Sequence, residues 1–382
     1  MSGLRAIIEQ EIRERGPIPF SRYTELCLYH PELGYYSRYA EKFGKAGDFY
    51  TSSDVHAVFG RLLSRQFDEM WRMLGSPSKI TVRELGPGRG LFAQDVMDWS
   101  EKKFPEFFGA LRYELVEKSP ALREKIARIL SRRLESGKAI LGSSEEDESD
   151  SRSSEENQAP CIVFANEFFD AIPVDVVSCQ GSLRIDIQDG RLIETWVRAS
   201  EHELEYLDRY SVRPEEDERV EVGLQSKRIF ASGSRFERGF FVAIDYGCTR
   251  EELLGGRHRG TLKAIRQHSV NGSPYEAPGE QDITADVNFT ALAAAAQENG
   301  MHAQTLVTQS QFLLGIGEAN QFADAFEDCK LPQERAKVAL QLKHLITPAG
   351  MGESFHVLIA SKGVDPELTA SLAGLNFGQK MR

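Results

Sequence analysis

The stretch ITVRELGPGRGLFAQ, residues 80–94, decides the fold class. An apolar strand pattern runs into a glycine-rich turn, and an apolar helical pattern follows it. Glycines at 86, 88 and 90 remove the β-carbons that would keep backbone amides away from a nucleotide-like ligand. A dinucleotide fingerprint needs glycine where Leu91 stands, and a P-loop needs a lysine that this turn lacks. The turn therefore predicts a cofactor of another kind.

An acidic residue followed by GxGxG is the form usual in S-adenosylmethionine enzymes, whose ligand has no pyrophosphate to seat. The next predicted strand ends at Glu117, where a carboxylate is placed to accept hydrogen bonds from both ribose hydroxyls of that ligand. Together the two patterns predict S-adenosyl-L-methionine as the cofactor. The candidate cofactor-binding residues so far are Glu84, Gly86, Pro87, Gly88, Gly90 and Glu117.

Apolar strands and amphipathic helices alternate after the glycine turn. Strands are predicted at 80–85, 111–116 and 162–165, and helices at 92–103 and 120–134. This alternation predicts an α/β fold with a Rossmann-like parallel sheet that helices cover on both faces.

The segments outside this alternation predict an N-terminal helical extension and an inserted substrate or lid region. Residues 174–197 alternate with a period of two and predict an antiparallel meander with turns at Gly181-Ser182 and Asp189-Gly190. The strand predicted at 240–247 resumes the core pattern. The expected division is a helical cap region over 1–76, the first part of the core over 77–180, an insertion over 181–238, and the second part of the core over 239–382 with a loop insertion near 255–285.

The composition excludes several classes of protein. A net charge of −12 argues against broad electrostatic capture of nucleic acid. Five cysteines without CxxC spacing argue against a zinc ribbon or a disulfide scaffold, so no metal is expected. The chain has no apolar run long enough for membrane insertion, and its first residues lack a signal-peptide pattern, so we expect a cytoplasmic protein. Residues 143–158, rich in serine and acidic residues, predict a solvated loop.

A third polar segment, NEFFDAIP at 166–173, follows the strand predicted at 162–165. Open α/β sheets bind ligands at the carboxyl ends of their strands, which is where this segment begins. The Asn166-Glu167 pair is unusual there for packing alone. The alternative is that Asn166 caps a helix while Phe168 and Phe169 fill the core.

In combination, these segments resemble the MidA-like class I methyltransferases, a family that includes an assembly factor of mitochondrial complex I that methylates an arginine. The resemblance runs over most of the chain. The segments that carry it are 47–51 (GDFYT), 84–90 (ELGPGRG), 116–120 (VEKSP), 166–173 (NEFFDAIP), 244–247 (IDYG), 259–262 (RGTL), His268, 278–284 (PGEQDIT) and 350–352 (GMG).

The resemblance implies that the NEFFDAIP segment faces the transferred methyl group and that the loop at 47–51, with Phe49 and Thr51, lies over the cofactor. Asn166 is then expected to contact both cofactor and acceptor. An arginine acceptor keeps its proton, with a pKa above ~12, so carboxylates are needed to hold it. Glu167 and Asp170 are the first candidates, with Asp48 and Asp282 in reserve. His268 is a candidate base, although a structural role fits it as well.

The predicted function is therefore an S-adenosylmethionine-dependent methyltransferase whose acceptor is an arginine on a protein, such as a respiratory complex I subunit. A small-molecule N- or O-methyltransferase, or a cofactor-binding assembly factor without turnover, would use the same core. A nicotinamide dehydrogenase is the third alternative, and Leu91 counts against it. The expected partner is a protein substrate, and a homodimer is left open.

Overall fold

The computed structural model describes residues 3–38, 57–142, 159–256, 260–266, 269–271, 273–318 and 320–377. The helices, numbered α1 to α16 in chain order, are Gly3–Arg15, Phe20–Tyr29, Tyr35–Arg38, Ala57–Met73, Leu91–Lys103, Pro105–Ala110, Pro120–Ile129, Ser131–Glu135, Glu201–Tyr210, Leu224–Gly233, Arg250–Leu254, Phe289–Glu298, Gln309–Glu318, Ala323–Phe326, Pro332–Ile346 and Pro366–Ala370. The strands, numbered β1 to β17, are Ile18–Pro19, Ile80–Leu85, Leu111–Val116, Ala139–Leu141, Cys161–Asn166, Asp175–Ser178, Gly181–Gln188, Arg191–Val197, Val220–Val222, Gly239–Cys248, Lys263–Arg266, Ser269–Asn271, Asp282–Thr284, Val287–Asn288, His302–Ala303, Val307–Thr308 and Phe355–Lys362.

The central sheet has the strand order β15-β17-β10-β5-β2-β3-β4, with β16 paired to β17 and β14 to β10. The strands from β10 through β4 run parallel to one another, and β17 runs antiparallel to β10. β5 is buried along nearly its whole length, which explains why the sequence CIVFA is a continuous apolar run. The predicted α/β fold with a mostly parallel sheet is therefore confirmed.

The two faces of this sheet pack against different helices. Along β10, Phe240 and Val242 join a core that includes α4 and α5, while Phe241 and Ala243 join a core that includes α10 and α12. This division follows from the two-residue period of a strand. The result is a three-layer arrangement in which both faces of the sheet are covered.

A second, antiparallel sheet has the order β1-β7-β6-β9, with β8 paired to β7. Its strand β1 comes from the N-terminal region, whereas the others come from residues 175–222. Helices α1 and α2 pack against this sheet through a common apolar cluster. Helix α4 instead packs into the core of the central sheet. The N-terminal region therefore contributes to both sheets.

Two local predictions are wrong. The first turn of the meander lies at residues 179–180, and Gly181 is already in β7, where an added β-carbon would lie 2.0 Å from the carbonyl oxygen of Val197. That glycine is required by the close approach of the neighbouring strand. The helix predicted over 120–134 is interrupted at Leu130, whose ψ of 17° leaves the helical range. Within the described ranges, no helix combines the length and the apolar character that crossing a bilayer requires.

Candidate functional site

A cavity of about 480 Å³ opens at the carboxyl ends of β2, β3 and β5. Parallel strands end at the same edge of a sheet, so the segments that follow them meet there. Helices α2, α3 and α10 also contribute residues to the lining. The residues that line the cavity include Arg22, Glu25, Tyr29, Tyr36, Glu84, Gly86, Gly88, Glu117, Glu167, Asp170, Gln225 and Asp282.

The glycine loop after β2 forms one wall. Gly86 and Gly88 have φ values of 65° and 55°, in the left-handed region that favours glycine. A β-carbon on Gly86 would lie 2.6 Å from Cδ2 of Phe168, whereas a β-carbon on Gly88 would meet no protein atom within 4 Å. The amide of Gly86 donates to the carbonyl oxygen of Val116 at 3.0 Å, which ties the loop to the end of β3. The loop therefore leaves room for a ligand beside its backbone.

Two buried carboxyl groups lie beside the glycine loop. The amide of Ser119 donates to Oε1 of Glu117 at 2.8 Å. Burial raises the pKa of Glu117 to about 7, and hydrogen bonds from the backbone of Ser119 and Gly88 limit that rise. The phenol of Tyr113 donates to Oε2 of Glu84 at 2.8 Å, and burial raises the pKa of Glu84 to about 8. The Glu117 carboxylate is therefore positioned to accept hydrogen bonds from hydroxyl groups of a ligand.

The NEFFDAIP segment leaves the end of β5 in an unusual backbone conformation. Glu167 has a φ of 48°, which is uncommon for a residue other than glycine. Its amide donates to the carbonyl oxygen of Ile244 at 2.9 Å, and the amide group of Asn166 donates to its Oε1 at 3.2 Å. Non-glycine residues held in this region often belong to functional sites.

Two further carboxyl groups in the cavity wall each accept a hydrogen bond from a tyrosine. The phenol of Tyr246 donates to Oδ2 of Asp170 at 2.6 Å, and the phenol of Tyr36 donates to Oδ1 of Asp282 at 3.1 Å. Burial raises the pKa of Asp170 to about 6, although the bond from Tyr246 opposes the rise. The cavity therefore brings together several acidic groups from distant parts of the chain.

Most of the residues predicted from the sequence line this one cavity. They are Glu84, Gly86, Pro87, Gly88, Glu117, Asn166, Glu167, Asp170 and Asp282. Gly90 instead precedes α5, and a β-carbon there would lie 3.3 Å from Cγ1 of Ile126 on α7. The lack of a β-carbon at Gly90 therefore allows α7 to pack closely against the start of α5. Asp48, Phe49, Thr51 and His268 lie outside the described residues, and their roles stay predictions.

The sequence did not identify the contributions of Tyr36, Asp245 and Tyr246. Tyr36 lies in the stretch HPELGYY, residues 30–36, which has no helical or strand period, so no pattern marked it. Asp245 interrupts the apolar strand FFVAIDYG, and a carboxylate in a fully buried strand was a signal that could have revealed a functional contact. In the part of the chain that the structure describes, no group of three or more potential metal ligands is present.

Comparison with known proteins gives a consistent result. A family model for S-adenosyl-L-methionine-dependent methyltransferases matches residues 62–307. The mitochondrial protein arginine methyltransferase NDUFAF7 homolog of Drosophila melanogaster is 30% identical, over 94% of this chain and 84% of its own length. The human mitochondrial protein arginine methyltransferase NDUFAF7 is 27% identical, over 91% of this chain and 80% of its own.

A solved structure supports the same relationship. A Burkholderia thailandensis protein with bound S-adenosyl-homocysteine superposes with a TM-score of 0.78 at 26% identity, over 97% of this chain and 94% of that chain. The cytoplasmic location expected from the sequence is contradicted, because the fly and human relatives are named mitochondrial.

Proposed function

We propose the methyl acceptor of this protein, starting from the finding that the chain belongs to the family of S-adenosyl-L-methionine-dependent methyltransferases. The family match and the relative with bound S-adenosyl-homocysteine confirm the predicted resemblance, fold class and cofactor. The residues present fit that cofactor, because open space lies beside Gly88 and the Glu117 carboxylate lines the same cavity. When bound, the cofactor supplies a methyl group already activated on a sulfonium, so the protein mainly positions the acceptor.

The proposed acceptor is an arginine side chain of a protein. The observation that carries this proposal is the set of acidic groups in the cavity beyond the glycine loop, namely Glu25, Glu167, Asp170 and Asp282. The lining also contains three cationic residues: Arg22, which forms ion pairs with Glu11 at 3.0 Å and Glu25 at 2.6 Å, Arg89 in the glycine loop, and Lys118 after β3. They are outnumbered by the carboxyl groups of the lining. An acidic cavity favours a cationic acceptor, and carboxylates match the planar guanidinium fork of arginine. The names of the fly and human relatives support the same class of acceptor.

Glu167 is the residue proposed to hold the guanidinium during transfer. A carboxylate that accepts hydrogen bonds from two N–H groups of the guanidinium orients the third nitrogen towards the methyl group. Transfer forms a nitrogen–carbon bond, breaks the sulfur–carbon bond, and releases one proton from the guanidinium. We propose that the Glu167 carboxylate, which contacts the guanidinium, takes up that proton.

The first experiment compares the wild-type protein with Glu167→Gln, using S-adenosylmethionine labelled in the methyl group. Arginine-containing peptides, including segments of respiratory complex I subunits, are offered alongside small amines and phenols. We expect label on arginine in the wild type and a loss of about 100-fold in kcat for the variant, because the amide cannot accept the proton. The affinity for S-adenosyl-homocysteine should be retained.

The matched control is Glu205→Gln on α9, which removes an exposed carboxylate away from the cavity and should change nothing. Undiminished turnover by Glu167→Gln would reject its role. Label only on small molecules would favour a small-molecule methyltransferase. Cofactor binding without any methylation would favour an assembly factor. The complex I subunit and a homodimer stay predictions.

A further inference from the structure

Three consecutive residues of β10 hold every residue of the segment from Glu167 to Asp170. The carbonyl oxygen of Ile244 accepts the amide of Glu167 at 2.9 Å. Oδ2 of Asp245 accepts the next three amides, those of residues 168, 169 and 170, at 3.1, 2.9 and 3.2 Å. The phenol of Tyr246 donates to the side chain of Asp170 at 2.6 Å. We call this set of contacts the β10 clamp.

The β10 clamp accounts for the backbone conformation of Glu167. A non-glycine residue in the left-handed region persists only where the surrounding structure over-determines it. The three amides after Glu167 converge on one oxygen atom, which fixes the direction in which the chain leaves β5. The hydrogen bonds of the clamp reach Glu167 through its backbone, and the Glu167 carboxyl group also interacts electrostatically with Asp245.

Asp245 has a chemistry that other side chains of its size do not reproduce. Oδ1 accepts the amide of Tyr246 at 3.0 Å while Oδ2 accepts the three amides of the segment, so its four hydrogen-bond partners are all donors. Burial and the nearby carboxyl groups of Asp170 and Glu167 raise the pKa of Asp245, and the backbone amides oppose that rise. An asparagine offers only one acceptor atom, and its NH₂ group would face a donor on one side or the other. The residue is fully buried, with 0% exposure, and does not line the cavity. Asp245 therefore cannot contact an acceptor directly.

From this geometry we infer that Asp245 is a positioning residue that aims the Glu167 carboxylate at the methyl acceptor. The inference rests on the proposed function, because it gives Glu167 the task of holding the guanidinium. It predicts that the acceptor step depends on Asp245 while cofactor binding, which uses the glycine loop and Glu117, does not. If Asp245 contributed only to stability, its substitution would lower the melting temperature and would affect methyl transfer and cofactor binding alike.

The test compares wild type and Asp245→Asn by calorimetry with S-adenosyl-homocysteine and by steady-state methylation of an arginine peptide. We expect an unchanged affinity for S-adenosyl-homocysteine and a fall of about 100-fold in kcat, the effect of misplacing a reacting group by roughly 1 Å. The matched control is Asp324→Asn, which changes a buried aspartate on α14 that pairs with Arg65; neither residue lines the cavity. That control should lose stability but keep kcat. Equal kcat values for wild type and Asp245→Asn would overturn the inference.

Two measurements do not depend on the acceptor. Crystal structures of wild type and Asp245→Asn with S-adenosyl-homocysteine should show that Glu167 leaves the left-handed region in the variant. If the variant does not fold, hydrogen exchange of the wild-type protein is measured instead of the crystal structures. The amides of residues 168–170 should then exchange slowly. An unchanged Glu167 conformation, or rapid exchange of these amides, would reject the role of Asp245. A wild type that methylates no arginine but passes these tests would reject the proposed function alone.

Discussion

At the scale of single residues, the cofactor side of the cavity depends on the ionisation of Glu117. Burial raises the pKa of Glu117 from its usual value near 4.5 to about 7. The ribose hydroxyls of the cofactor donate to an ionised carboxylate, so binding favours the charged form. The protonated form offers fewer acceptor sites and dominates below this pKa.

We therefore predict that the affinity for S-adenosyl-homocysteine rises with pH through about 7 and levels off above it. Below that pH the affinity should fall by up to about tenfold per pH unit, the limit for one linked proton. Calorimetric titration between pH 5.5 and 8.5 measures the profile. Glu117→Gln should bind more weakly and flatten the profile around pH 7, whereas Glu124→Gln, which removes an exposed carboxylate on α7, should leave it unchanged. A pH-independent wild type would contradict the assignment.

At the scale of elements, the N-terminal helices contribute to the cavity through tyrosine hydrogen bonds. The phenol of Tyr36 donates to Asp282, and the backbone oxygen of Tyr36 accepts the hydroxyl of Ser119 at 3.2 Å. The phenol of Tyr29, which packs beside Tyr36, donates to the carbonyl oxygen of Ala171 at 3.0 Å. Helices α2 and α3 are thus joined to the segments that follow β3 and β5.

This arrangement predicts that Tyr36→Phe weakens both the fold and the acceptor site. Loss of the hydrogen bond to buried Asp282 should lower the free energy of unfolding by about 1–3 kcal/mol. The KM for an arginine peptide should rise, because Asp282 loses the donor that orients it. Tyr23→Phe is the matched control, since it removes a bond of 2.8 Å to the carbonyl oxygen of Pro274 away from the cavity. Denaturant unfolding and steady-state kinetics should show similar losses of stability, with a changed KM only for Tyr36→Phe.

The elements also show which parts of the site could be predicted from sequence. The glycine loop, Glu117 and the NEFFDAIP segment directly follow strands with clear apolar patterns, so the edge of a parallel sheet brings them together. Tyr36 reaches the cavity from a helix of four residues, which has no readable period. Asp282 lies on a three-residue strand without a readable period, and only its place in the segment PGEQDIT, which carries the family resemblance, made it a candidate. The β10 clamp joins residues about 75 positions apart, and a single sequence contains no signal for that register. The two-residue strand β1 pairs with β7, which is distant in the sequence, so the sequence did not predict this pairing either.

At the scale of the whole molecule, the cavity gathers buried acids whose ionisation opposes folding. Burial raises the pKa of Glu84 to about 8, that of Glu117 to about 7 and that of Asp170 to about 6. In the unfolded chain these groups lose their protons near their usual, lower pKa values. Between the two values the folded protein binds more protons than the unfolded chain, so its stability falls as the pH rises.

We therefore predict that the protein without cofactor is more stable at pH 5.5 than at pH 8. Each group that stays protonated only in the folded state contributes a slope of about −1.4 kcal/mol per pH unit. For Glu84 this window runs from about 4.5 to about 8, so Glu84→Gln, which keeps an acceptor for the phenol of Tyr113, should remove one such slope from it. Chemical unfolding at several pH values measures the effect, and Glu205→Gln on the surface should leave the profile of the wild type unchanged. A Glu84→Gln profile parallel to the wild type would show that Glu84 is ionised in the folded protein. A wild-type stability that rises from pH 5.5 to 8 would show the same of the three acids together. In that case the pH dependence of cofactor binding assigned to Glu117 would also have to lie at lower pH.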